Sequence, residues 1–187
     1  KAINCFHPGN DGEACNECES CISFNEGRSM NIQELNAAAN NSVDDIRGII
    51  EQVRIPPQLG NYKVIILDEV HMLSPSASNA LLKTLEEPPS YVIFILATTE
   101  KQKILPTILS RCQIFDFNRM EEADIIGQLK KVAANEQITF EERALSLIAQ
   151  KADGGMRDAL SVFDQVTSFS AGNITYDSAL KCLGLLD

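Results

Sequence analysis

Lys63-Val64-Ile65-Ile66-Leu67-Asp68-Glu69 decides how this chain is read. Its four consecutive apolar residues show no polar alternation, which predicts a strand covered on both faces. The strand delivers two adjacent carboxylates at its carboxyl end. Few folds tolerate paired negative charge there unless something uses it, and the usual user is magnesium with a nucleotide triphosphate. A second apolar run, Tyr91-Val92-Ile93-Phe94-Ile95-Leu96-Ala97, ends in Thr98-Thr99-Glu100. Two strands therefore release polar groups at their carboxyl ends, the edge where open α/β sheets bind ligands.

The flanking sequence fits strands separated by helices. Met30–Leu35 reads as a weakly alternating strand. Ser42 caps a helix running to about Val53, with Val43, Ile46, Ile49, Ile50 and Val53 on one face, and Pro56-Pro57 stop it. Ser74-Pro75 opens another helix, with Ala77, Ala80, Leu81 and Leu85 as its apolar stripe and Pro88-Pro89 at its end. A short helix at Pro106–Leu109 leads to Arg111, and Cys112–Phe117 reads as a third buried strand. The alternation predicts an α/β domain with a parallel, doubly wound sheet over residues 1–117. From Asn118 the period becomes helical: Glu121–Asn135, Phe140–Ala152 with a Thr139/Glu142 capping box, Met156–Ser168, and a helix capped by Thr175 running to Leu183. This predicts a small all-α domain over residues 118–187.

The 187 residues carry a formal net charge of −10, with 44% hydrophobic and 22% charged residues. That charge argues against broad nonspecific nucleic-acid binding by this stretch alone, because such binding needs Lys and Arg to neutralise phosphates. No apolar run approaches the roughly 20 residues of a membrane helix. The abrupt start at Lys1-Ala2-Ile3-Asn4, with no initiator Met, reads as the tail of a longer helix and hence as a fragment.

Four of six cysteines cluster as Cys5, Cys15, Cys18 and Cys21. Each C-x2-C step lets a tight turn aim two sulfurs at one centre, and Cys5 can close a tetrahedron around Zn²⁺. The segment between them has almost nothing apolar to bury, so a metal would supply what the missing core does not. Four thiolates leave no open position, which makes the site structural. Disulfides or free thiols are the plainer alternative, and His7 is a further possible ligand.

Every other candidate has a plain reading beside its chemical one. Asp68 can hold Mg²⁺ while Glu69 polarises an attacking water, or the pair simply ends a strand in solvent. His71 extends the run to Asp-Glu-Val-His, or just opens the next turn. Thr98 and Thr99 can bond a terminal phosphate, or serve as strand and cap residues. Arg111 can complete a neighbour's phosphate site, or form a surface salt bridge. Arg157 follows Gly154-Gly155 at the start of a helix, where a cation opposes the dipole. It either faces a phosphate or pairs with Asp158.

Together these pieces resemble the AAA+ ATPase family, in the branch that forms the bacterial clamp loader of DNA polymerase III. The residues that carry the resemblance are the four cysteines, Leu67–Leu73, Ala80–Pro89, Ala97-Thr98-Thr99, Ser110-Arg111-Cys112 and Gly155–Leu160. It covers essentially the whole chain. It implies a parallel-sheet AAA+ core, truncated at its amino end and carrying a zinc-binding loop at 5–21, followed by a helical lid. It makes Asp68 and Glu69 the Walker B pair and Thr98 or Thr99 the first sensor. Arg111 becomes the arginine finger acting on ATP held by an adjacent subunit, and Arg157 the second sensor, reaching ATP bound by its own subunit.

The cofactors implied are structural Zn²⁺, with Mg²⁺ and ATP in the full-length protein. The partners implied are the other subunits of a hetero-oligomeric ring, the sliding clamp and primer-template DNA, in the bacterial cytoplasm. ATP binding would close the ring and hydrolysis would release the loaded clamp. No G-x-x-x-x-G-K-[ST] loop occurs in the chain, so this piece alone is expected neither to bind ATP tightly nor to hydrolyse it. The alternative is a noncatalytic structural subunit of the same assembly, acting through Arg111 and the zinc module. A zinc-dependent interaction module is a third reading, and a helicase the weakest.

Overall fold

Lys63–Asp68 forms β2, the middle strand of a three-stranded sheet. β1 (Ile32–Asn36) and β3 (Val92–Leu96) flank it, and both run parallel to it. In this computed structural model, which describes residues 1–185, β2 is buried along most of its length because a central parallel strand is covered on both faces. The register sets Asn36 beside Asp68 and Leu67 beside Leu96, so the three carboxyl ends share one edge.

A short helix, α1 (Glu19–Asn25), contains Cys21, the last of the clustered cysteines, and the crossovers are α2 (Val43–Val53) and α3 (Pro75–Glu86). Ser42 caps α2 through a reciprocal box with Asp45: its hydroxyl accepts from the Asp45 N–H at 3.2 Å, and the Asp45 carboxylate accepts from the Ser42 N–H at 3.1 Å. Ser74 caps α3 one way only, its hydroxyl accepting from the Ala77 N–H at 3.2 Å, with Pro75 at the first helical position. Ile46, Ile49 and Val53 from α2 and Ala77 and Leu81 from α3 join Ile65 and Leu67 of β2 in one core. The two helices pack against each other. Both crossovers step in the same direction across the sheet, so right-handed connections put both helices on one face. A doubly wound sheet needs a reversal of strand order, and the described strands contain none.

Buried asparagines tie the loop before β2 to what precedes it. Asn4 donates to the Tyr62 carbonyl at 2.7 Å, and its Oδ1 accepts from the Asn61 and Tyr62 N–H groups. Gly60, at φ +85°, permits this approach, since a Cβ there would fall within 2.9 Å of the Asn4 side chain. Asn31 accepts from the Gln58 N–H and donates to the Leu59 carbonyl. The buried Lys63 ammonium donates to the Gln52 carbonyl at 2.7 Å and the Ile55 carbonyl at 3.2 Å, closing the end of α2.

Cys112–Phe117 is not a strand. It runs without regular structure, with Phe115 68% and Phe117 94% exposed. Its side-chain pattern suits a strand, but a strand forms only with a neighbour to share hydrogen bonds, and among the described residues it has none. Cys112 itself packs against the first core.

The chain divides into units 1–114 and 115–187, three residues earlier than the sequence pattern suggested. Residues 186 and 187 lie outside the described ones. The second unit packs α5 (Glu122–Asn135), α6 (Glu142–Ala152), α7 (Met156–Phe169) and α8 (Tyr176–Cys182) around Leu129, Leu145, Ile148, Phe163 and Val166. It also holds a pair of two-residue strands, β4 (Thr139–Phe140) and β5 (Asn173–Ile174). Thr139 is therefore not a helix cap. Its hydroxyl bonds Asn173 Oδ1 at 2.8 Å across the strand pair, while Glu141 stands at the N-cap of α6 without a side-chain cap bond. Thr175 does cap α8, in a reciprocal box with Ser178.

Candidate functional site

Asp68 ends β2, and its carbonyl accepts from the Ala37 N–H at 2.8 Å, which fastens it to the end of β1. Its Oδ1 accepts from the Glu69 N–H at 3.0 Å. Glu69 then turns the chain into a short 3-10 turn, Val70–Met72, with a left-handed backbone at φ 50° and ψ 42°. That region is costly for a residue with a long side chain and gathers at functional sites. Val70 N–H bonds the Ala97 carbonyl at 3.0 Å, so the exits of β2 and β3 are locked side by side.

This brings the expected carboxylate and hydroxyl groups together. Thr99 donates to Glu69 Oε2 at 3.2 Å. His71, whose side chain is only 7% exposed, sits among them. Its Nδ1 lies 3.0 Å from Thr98 Oγ1 and 3.3 Å from Glu69 Oε2, and its Nε2 lies 3.5 Å from Glu100 Oε1. Lys103 meets the same Glu100 oxygen at 2.7 Å, and the Lys103 ammonium is the main cause holding the Glu100 carboxyl below its ordinary range, with His71 adding to it. His71 and Asn36, at the end of β1 beside Asp68, are the members of this edge that the sequence pattern undervalued. Asn36 carried a signal, as a polar residue ending a strand. His71 carried only its place after the doublet.

Asp68 and Glu69 offer the hard oxygen donors that Mg²⁺ takes, and the neighbouring hydroxyls of Thr98 and Thr99 suit a phosphate. The donor set therefore fits magnesium with a nucleotide.

Arg111 is placed elsewhere. It follows α4 (Pro106–Leu109), and its guanidinium donates to Glu86 Oε1 and to the Thr107 carbonyl, both at 2.7 Å. Glu86 is the last residue of α3. A crossover helix runs back against its strands, so Arg111 is drawn toward their amino ends, away from Asp68.

Arg157 belongs to the second unit, as the second residue of α7. It is exposed and makes no ion pair among the described residues, Asp158 included. Asp158 instead lies against Gly155, where a Cβ would fall 2.6 Å from its Oδ2. Arg119 pairs with the Asp153 carboxylate, and Met120 N–H bonds the Gly154 carbonyl at 3.1 Å, which fixes the turn ahead of α7. Gly154, at φ +81°, leaves room for the Arg119 stem.

The four clustered cysteines converge. Their sulfurs all lie within 4.8 Å of one another, with Cys5 to Cys15 at 3.5 Å and both Cys5 to Cys18 and Cys15 to Cys21 at 4.0 Å. Zn–S bonds of about 2.3 Å in a tetrahedron require sulfurs about 3.8 Å apart, so the spacing fits zinc. None of the four is in a disulfide. Backbone N–H groups of Cys15 and Cys18 point at Cys5 Sγ and Cys15 Sγ, each at 3.3 Å, an arrangement that favours thiolate. A backbone hydrogen bond at Phe6 pulls the Cys18 thiol down to about 6, against the opposing effect of burial. Burial pushes the Cys21 thiol up to about 12.

Comparison with known proteins bears on the family and the fold. Residues 1–121 match the family model described as DNA polymerase III, delta subunit, and residues 124–172 the model described as DNA polymerase III clamp loader subunit, ATPase lid domain. The DNA polymerase III subunit tau of Bacillus subtilis (strain 168) is 52% identical over 98% of this chain and 32% of its own length. The subunit tau of Escherichia coli (strain K12) is 42% identical over 100% of the chain and 29% of its own length. The chain thus spans about a third of these relatives. The Thermotoga maritima RuvB Holliday junction branch migration motor superposes with a TM-score of 0.70 at 19% identity, over 89% of this chain and 56% of that one. That likeness concerns the fold alone: a parallel-sheet AAA+ core followed by a helical lid. The chain belongs to the DNA polymerase III clamp-loader family, on the branch of the gamma/tau subunits.

Proposed function

We propose that the chain is the Walker B, sensor and lid portion of an ATP-hydrolysing gamma/tau subunit that loads a sliding clamp onto primed DNA. The observation that carries this reading is the Glu69 carboxylate. It is held at the carboxyl edge of the sheet by Thr99, beside Asp68, on a left-handed backbone. Asp68 would hold magnesium, which neutralises phosphate charge when bound. Glu69 would orient and polarise the attacking water, and Thr98 or Thr99 would sense the terminal phosphate.

Arg111 would serve ATP on an adjacent subunit, in keeping with its direction away from Asp68, and would leave Glu86 to do so. Arg157 would reach nucleotide bound by its own subunit, since it is a cation at a helix start with no ion pair among the described residues, where an anion is favoured. The four cysteines would hold one structural zinc. The partners would be the other ring subunits, the clamp and the primer-template, in the bacterial cytoplasm.

The test is Glu69→Gln in the full-length protein. DNA-stimulated hydrolysis should fall by roughly 100-fold or more while nucleotide binding persists. Unchanged hydrolysis would sink the motor reading and leave the noncatalytic structural subunit. Residues 1–187 by themselves contain no phosphate loop, so calorimetry on them should detect no micromolar ATP binding.

A further inference from the structure

The His71 side chain is only 7% exposed at the carboxyl edge, far less than Glu69 or Glu100 beside it, and the expected chemistry gives it no task. One ring faces three separate functional groups. Nδ1 lies between Thr98 Oγ1 at 3.0 Å and Glu69 Oε2 at 3.3 Å, and Nε2 faces Glu100 Oε1 at 3.5 Å. Thr98 Oγ1 already accepts the Glu100 N–H at 3.0 Å, and Glu69 Oε2 already accepts from Thr99 at 3.2 Å. Among the described residues, the imidazole is therefore the side chain that touches both the β2 exit and the first threonine of the β3 exit. It is rigid and planar, with one donor or acceptor at each end. The Glu69 backbone is left-handed and the carboxylate partly exposed, so without the ring little besides the Thr99 hydroxyl would fix that carboxylate.

We propose that His71 is a positioning residue, which through Nδ1 sets the Glu69 carboxylate at a fixed place against the Thr98 hydroxyl. A change at Thr98, such as the arrival or loss of a terminal phosphate, is then felt at Glu69 through one ring. The inference rests on the reading of Glu69 as the water-polarising group, and it deepens that reading by naming what aims the group. A misplacement of ~1 Å at a reacting centre can cost about 100-fold, so the link has leverage on turnover.

The test uses isosteres. The asparagine amide reaches the place of Nδ1, and the glutamine amide reaches that of Nε2. In the full-length protein, His71→Ala should lower kcat for ATP by roughly 10- to 100-fold with KM within about two-fold, because the ring acts on the aim of Glu69 and not on nucleotide affinity. His71→Asn should recover most of that loss and His71→Gln little of it. Wild-type kcat in His71→Ala, or equal recovery by both amides, would overturn the proposal, the second by showing that the ring serves Glu100 or mere packing.

A second arm needs no turnover. In residues 1–187, Glu69→Gln should move the His71 Nδ1 nitrogen resonance more than the Nε2 resonance, and Glu100→Gln the reverse. An Nδ1 signal indifferent to Glu69 would overturn the link. Absent hydrolysis in the wild-type full-length protein would instead sink the proposed function.

Discussion

A zinc ion at the four sulfurs would compete with protons, and backbone hydrogen bonds and burial decide which sulfur keeps its proton longest. Cys18 is drawn down to about 6 and Cys21 pushed up to about 12. Near neutral pH Cys18 is largely thiolate, whereas Cys21 must release its proton as zinc enters. Zinc affinity should therefore rise with pH, more steeply below about pH 6 and still upward through neutrality, with about one proton or more released per ion near pH 7. Calorimetry in buffers of different ionisation enthalpy reads the proton count, and a pH-independent affinity would contradict zinc ligation by these thiols. The cysteine cluster was legible because ligand spacing is a local property: two x2 steps place sulfurs within one turn of each other. His71 was not legible, because what gives it meaning is Thr98, 27 residues away. A single histidine after a strand has no spacing to read. Arg111 was visible as a candidate, but its partner Glu86, 25 residues earlier, emerged only from the fold.

Among elements, polar side chains do work that the apolar pattern does not announce. Asn4 answers two backbone N–H groups and a carbonyl in the loop ahead of β2. Asn4→Ala should cost about 1–3 kcal/mol, the range for leaving buried polar groups unanswered, and a urea titration would show a lower midpoint with little change in slope. Thr175→Ala should cost about 0.5–2 kcal/mol by removing the cap of α8, with the loss seen first in the second unit. Caps such as Ser42, Ser74 and Thr175 could be read because their geometry closes within four residues. Thr139 matched the same pattern and was misread, because its hydroxyl answers Asn173, 34 residues on. Cys112–Phe117 fails for a related reason. Strand propensity describes one chain segment, while a strand requires two.

For the whole molecule, two cores mean two stabilities. Apolar contacts hold 1–114 around β2 and 115–187 around α6 and α7, and the four cysteines lie only in the first. Chelating the metal should lower the first unit's transition and leave the second unchanged, so a single melting curve should split into two on calorimetry; a uniform shift would argue against zinc in residues 5–21. The left-handed backbone at Glu69 reaches further. A side chain there carries strain of roughly 1–2 kcal/mol, and glycine would remove it at an entropic cost of about 0.5–1 kcal/mol. Glu69→Gly relieves that strain but gives up the Thr99 and His71 contacts, so it should melt close to the parent while the proposed hydrolysis falls by roughly 100-fold or more. A thermal-shift screen alone would pass that variant, and, on the proposed reading, a lineage selected only for robustness would have nothing to stop it losing hydrolysis.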